Sequence, residues 1–186
     1  MLNETAEKLN NQAILLASNG DYTEAIACFM RALTIEKGNS LLWFNLGVTC
    51  RDAGNLDTAK DALVKAHEIN RTDNEIVEAL ALVCYSLGDL DSTLDYCTEG
   101  LNDNPQNPHL WNTTGVVFFN RSQYRNACDA FEHAVSLNPY YYDALFNLCD
   151  TYEELGNKNG REECMMRMKE INKHGISGEI PQGGQK

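Results

Sequence analysis

Sliding the 186-residue sequence against itself by 34 positions brings Gly20, Gly54, Gly88 and Gly156 into register, with Ser122 in the remaining slot. The same shift places Trp43 on Trp111, Gly47 on Gly115, Ala25 on Ala59 and Ala127, Phe29 on Phe131, Ala32 on Ala66 and Ala134, and Pro105 on Pro139. The period tiles nearly the whole chain without an insertion: 6–39, 40–73, 74–107, 108–141 and 142–175. No other feature constrains the fold as strongly. Each unit is too short to bury an apolar face alone, so neighbours must stack to make one core.

Within each period two amphipathic blocks flank a turn of the form Gly-Asp/Asn-Leu/Tyr, as in GDY at 20–22, GNL at 54–56 and GDL at 88–90. Glycine supplies a left-handed residue cheaply and ends the first block, while the Asp or Asn after it is suited to cap the next helix. The unit is therefore expected to be a helical hairpin. Few prolines and little β-branched alternation argue against an all-β chain. Small residues at Gly47, Gly115, Ala13 and Ala81 on the first helix, and at Ala25, Ala59 and Ala127 on the second, let the helices approach closely.

The repeat resembles the tetratricopeptide repeat. Residues 40–73 carry Trp43, Leu46, Gly47, Cys50, Gly54, Ala59, Leu63 and Ala66 of its pattern, and 108–141 carry Trp111, Gly115, Phe118, Ala127, Phe131, Ala134 and Pro139. The resemblance implies an all-α fold, an α-solenoid of tandem hairpins wound into a right-handed superhelix, with first helices lining a concave groove. It covers repeats 1 to 4 at 6–39, 40–73, 74–107 and 108–141, and a degenerate, capping fifth repeat at 142–175. Thr93 and Gly100 stand where the third repeat should have alanines, and Arg161 breaks the pattern in the fifth. Residues 176–186 are poor in apolar side chains and are expected to form a disordered tail.

The chain has 27 Asp and Glu against 15 Lys and Arg, a net charge of −12, which disfavours nucleic acid as a partner. The start, MLNETAEKLNNQ, has neither the basic-then-apolar pattern of an export signal nor a cleavage site, and no window is apolar for 18 residues. Together with seven scattered cysteines lacking any CxxC or zinc spacing, this predicts a cytoplasmic protein without membrane insertion. No nucleotide-loop, nucleophile-elbow or HExxH motif occurs, and the four histidines fall in separate repeats. The expectation is a non-enzyme with no catalytic residues, cofactor or metal.

Numbering each copy from its first residue, places 2, 5, 9 and 12 of the first helix form one stripe, distinct from a packing stripe at 4, 7, 8 and 11. The stripe reads Leu41, Phe44, Val48 and Arg51 in repeat 2, and Glu75, Glu78, Leu82 and Tyr85 in repeat 3. It continues as His109, Asn112, Val116 and Phe119 in repeat 4, then Asp143, Phe146, Asp150 and Glu153 in repeat 5. Its middle is apolar and aromatic and its end acidic. Asn11, Asn45 and Asn147 share place 6, similar to the asparagine ladder by which some family members hold a peptide backbone, although Ala79 and Thr113 interrupt it.

These residues are expected to bind a protein or peptide partner through an apolar, extended or helical segment. Repeat 3 holds seven acids and no Lys or Arg; solubility of a surface face is the plainer reading of that charge, and steering of a basic partner the sharper one. Family members that bind acidic chaperone tails use a Lys, Asn and Arg clamp; here Asn10, Ile14, Asn45, Glu75 and Ala79 stand at the corresponding places, so such tails are disfavoured. The alternatives are a self-assembling structural repeat protein, which would be a homo-oligomer, and a chaperone of secretion or complex subunits.

Overall fold

Ten α-helices and no strand occur among residues 4–174, the part of the computed structural model that is described. They are α1 (Ala6–Ser18), α2 (Tyr22–Ile35), α3 (Ser40–Asp52), α4 (Leu56–Ile69), α5 (Asn74–Ser86), α6 (Leu90–Asp103), α7 (Pro108–Asn120), α8 (Tyr124–Leu137), α9 (Tyr142–Glu154) and α10 (Lys158–His174). Odd-numbered helices are the first, or A, helices of successive hairpins and even-numbered helices the second, or B, helices. The tail expected to be disordered, 176–186, lies outside the described residues.

The period's glycines mark the A-to-B turns because the backbone there is left-handed: φ is 85° at Gly20, 81° at Gly54, 76° at Gly88 and 70° at Gly156. The amide of the following residue closes each turn on a carbonyl five residues back, as Asn55 N to Cys50 O at 2.8 Å and Asn157 N to Tyr152 O at 2.8 Å. Ser122 adopts φ 57° in the same turn and pays the steric cost that glycine avoids. Ser122→Gly is expected to raise stability by about 0.5–1 kcal/mol, read as a higher urea midpoint at unchanged slope.

The Asp and Asn after those glycines cap the next helix, as expected, at two of the four turns only. Asp21 and Asn55 sit at the N-caps of α2 and α4 but accept no capping hydrogen bond. Their ψ values of 59° and 66° lie outside the extended region that aims a cap side chain at the first-turn amides. Asp89 and Asn157 do cap their B helices, accepting from Ser92 N and Gly160 N, each at 3.1 Å. On the A helices Asn39 accepts from Leu41 N and Leu42 N, and Asn107 from His109 N and Leu110 N.

The described residues gather into two compact units that divide between Tyr96 and Cys97, inside α6. In the first, α1 packs on α2, α3 on α4, and α1, α3 and α5 lie side by side. In the second, α7 packs on α8, α9 on α10, and α7 lies beside α9. Within each unit the hairpins stack in solenoid fashion. Among the described residues no helix is long and apolar enough to cross a membrane.

Packing follows the small residues. A Cβ on Gly47 would lie 2.6 Å from Leu63 Cγ, and one on Gly115 the same distance from the Phe131 ring, so both glycines are required by close approach. Ala25, Ala59 and Ala127 are fully buried where A and B helices meet. The A helices also bury a second stripe: Leu42, Ile76, Leu110 and Ala144 at place 3, with Thr49, Val83, Val117 and Thr151 at place 10. Thr49 and Thr151 return their hydroxyls to the carbonyls of Asn45 and Asn147, each at 2.7 Å, which lets a polar residue occupy a buried place.

In the first unit Lys60 of α4 donates to Asp89 Oδ2 at 2.9 Å. The Lys60 hydrogen bond foremost, then those from Ser92, hold the Asp89 carboxyl down at about 2 against an ordinary 3.8. A carboxylate with a depressed folded-state pKa contributes stability above its unfolded value and loses it as pH falls towards the folded one. The contribution is therefore expected to be complete above about pH 4 and to fade between about 4 and 2. Acid titration of unfolding midpoints should show a shallower decline over that window in Lys60→Met than in the parent chain.

Candidate functional site

In the first unit, the sides of α3 and α5 turned away from their B helices carry the stripe. Leu41 is 55% exposed and Leu82 37%, while Phe44, Val48, Glu78 and Tyr85 are half-buried. Phe44 differs from the sequence reading in one respect: it also packs against the unit's core, alongside Trp43. Trp43 in turn is only half-buried, and its indole N–H donates to Lys37 O at 2.9 Å, as Trp111 does to Pro105 O.

In the second unit, α7 and α9 carry Val116 and Phe119, both half-buried and packed on that unit's core, and Phe146, 50% exposed. Phe119 meets Tyr124 edge-on at 5.3 Å between ring centroids. Asp150 is half-buried one helical turn beyond Phe146.

The place-6 asparagines of α3 and α9 also pair with side chains of neighbouring A helices. Asn45 Nδ2 donates to Asn10 Oδ1 at 3.0 Å, and Asn147 Nδ2 to Asn112 Oδ1 at 3.0 Å. Each place-6 amide thus pairs with the place-5 amide of the preceding hairpin, and Asn11 is exposed outside this pairing. Consecutive residues on a helix point about 100° apart, so place 6 of one A helix and place 5 of the preceding one can face each other across the contact. The pairing of Asn10 with Asn45 and the place of Tyr141 are not signalled by the repeat register. The 35-residue separation common to Asn10–Asn45 and Asn112–Asn147 was the available signal for the first. Tyr141 precedes α9, and its hydroxyl lies 3.1 Å from His109 Nδ1 and 3.5 Å from Asn112 Nδ2.

Each unit also has a cleft on its B-helix side. Met30, Leu33, Thr34, Lys37, Trp43 and Leu46 line an apolar cleft of about 320 Å³ between α2 and α3. In the second unit a cleft of about 340 Å³ between α8, α9 and α10 includes Glu132, Tyr152, Cys164 and Arg167. There Tyr152 donates to Glu132 Oε1 at 2.7 Å. All seven cysteines are buried, and none of them forms a disulfide. Burial foremost pushes the Cys128 thiol up to about 12 and Cys164 to about 11, so neither is a nucleophile near neutral pH. Among the described residues no group of three His, Cys, Asp or Glu is arranged to hold a metal ion.

A family model described as tetratricopeptide repeat matches residues 4–72. The peroxisomal targeting signal receptor of Saccharomyces cerevisiae is 27% identical over 129 residues, covering 68% of this chain and 21% of the receptor. The chain spans about a fifth to three tenths of the length of the first curated relatives it matches. Among solved structures, MamA from Desulfovibrio magneticus matches with a TM-score of 0.83 at 14% identity, over 95% of this chain and all of that one. YrrB, described as a TPR protein with an unusual peptide-binding site, matches with a TM-score of 0.70 at 21% identity, over 89% of this chain and 85% of that one. At these identities the likeness to the solved structures is one of fold.

Proposed function

The chain belongs to the tetratricopeptide repeat family, and on that premise we propose that it is a non-enzymatic protein–protein interaction adaptor or scaffold. Its A-helix faces hold an apolar segment, extended or helical, of a partner protein. The observation that carries this reading is the set of large apolar side chains left open on those faces, Leu41 and Leu82 in the first unit and Phe146 in the second. Apolar rings and branched chains that a monomer leaves in water supply binding energy when a partner covers them. The amide pairs Asn10–Asn45 and Asn112–Asn147 stand beside them with hydrogen-bonding capacity to spare. The curated relative named as a receptor for a targeting signal and the fold relative with a peptide-binding site support the same class of role. The buried thiols suit a reducing cytoplasmic setting.

Photo-crosslinking tests the reading. Benzoylphenylalanine placed at Leu82 or Phe146 is expected to capture a partner in cells, whereas the same group at Met30 of α2 or Met166 of α10, both exposed on B helices, is not. Adducts from the B-helix positions alone would place the interaction on the other side. Self-assembly has Met166, 59% exposed, in its favour, but Met165 and Met168 on the same helix turn towards the core. Adducts only between copies of the chain would favour that alternative.

A further inference from the structure

Place 9 of the A helices is Ile14, Val48, Leu82 and Val116 in the first four repeats and Asp150 in the fifth. The exception is a half-buried carboxylate on an otherwise apolar line. Among the described residues no hydrogen bond or ion pair reaches it. The nearby cation, Arg161, pairs by distance with a different carboxylate, its Nε 3.2 Å from Glu153 Oε2 without a hydrogen bond. Burial foremost, and then the like charge of Glu153, push the Asp150 carboxyl above the usual carboxylate range, with Arg161 only partly offsetting them. A partly dehydrated carboxylate beside a second one is a deficit that a cation relieves. Phe146, half exposed, stands one turn before it, and residues four apart on a helix face lie about 6 Å from one another.

We propose that the A-helix face of α9 is a docking site for a cationic side chain, a lysine or arginine of the partner segment. Its stem lies along the Phe146 ring and its head group meets the Asp150 carboxylate. The inference rests on the reading of A-helix faces as the binding surface and specifies what the second unit recognises there. Long basic side chains cover apolar surface with their methylenes while presenting the charge at the end, and an aromatic face attracts that charge as well. Asp143 and Glu153 on the same stripe add charge complementarity and disfavour an acidic segment. A neutral apolar residue would cover Phe146 but leave Asp150 further dehydrated and unpaired.

The test titrates the full chain, with its backbone amides followed by NMR, with a short peptide alternating leucine and lysine and with its counterpart carrying glutamine at every lysine. The lysine peptide is expected to bind at least about tenfold tighter, as one charge-assisted hydrogen bond in a partly dry site allows, and to shift resonances of residues 143–153. Asp150→Asn should abolish that preference without lowering the thermal midpoint. Asp57→Asn, which removes the same charge from an exposed position on α4, should leave the preference intact. Equal affinity of the two peptides, an equal effect of Asp57→Asn, or a lowered midpoint in Asp150→Asn each overturns the inference. In the first case, shifts on α7 and α9 with both peptides would leave the adaptor reading standing. Absence of shifts on the A helices with either peptide removes both.

Discussion

Truncating Phe131 to alanine is expected to lower unfolding free energy by about 3–5 kcal/mol, a large share of the total for a marginally stable domain. The ring is 1% exposed in the second unit's core and fills the space opposite Gly115. Gly115 offers the complementary experiment. Alanine in a helix interior normally gains about 1 kcal/mol over glycine from backbone entropy. Here the added methyl would lie 2.6 Å from two atoms of the Phe131 ring, which is rigid and enclosed. Overpacking of that kind costs about 1–3 kcal/mol, so packing is expected to outweigh propensity and Gly115→Ala to destabilise. The two substitutions should also couple, because alanine at 131 vacates the volume the new methyl needs. Urea unfolding of both single variants and the double variant checks this: a double variant clearly more stable than the sum of the singles is expected. A stabilising Gly115→Ala would contradict the contact itself.

The second large effect concerns binding. Phe146→Ala is expected to weaken partner affinity by about 30-fold or more, the scale of an interface anchor worth at least about 2 kcal/mol. Because half of this residue is already in water, stability should change by less than about 1 kcal/mol. Phe44→Ala is the less clean experiment, since its ring also packs on the first unit's core and its loss lowers stability and binding together. Calorimetric titration of the partner captured by crosslinking, with thermal midpoints measured on the same samples, separates the two quantities. Undiminished affinity in folded Phe146→Ala would remove that ring from the interface.

The fold was largely legible because the 34-residue period records which positions repeat, and repeated glycines, alanines and rings report turns and close approaches without any coordinates. Ser122 shows how strong that signal is: the turn keeps its left-handed residue even where glycine is missing. What the period does not record is which partner a position meets in the neighbouring repeat. The place-3 and place-10 stripe was missed for that reason: Leu42 and Thr49 look like ordinary helix residues until the adjacent helices close over them. Nor does the period record which asparagines meet: Asn45 pairs with Asn10 rather than with Asn11 of its own register. Capping by the residue after the turn glycine holds at Asp89 and Asn157 but not at Asp21 and Asn55, a difference that residue type alone does not signal. At the candidate site, residue identity on the stripe was readable, whereas the degree of burial was not. Phe44 and Phe146 share a place in the repeat, yet one is half-enclosed and the other half open.

The most direct measurement is a structure of the chain bound to its crosslinked partner. The account predicts partner side chains in van der Waals contact with Phe146 in the second unit or with Leu41 and Leu82 in the first. A partner seated on the B-helix side, in the cleft of Met30 and Trp43 or that of Tyr152 and Arg167, with the A-helix faces bare, would contradict it.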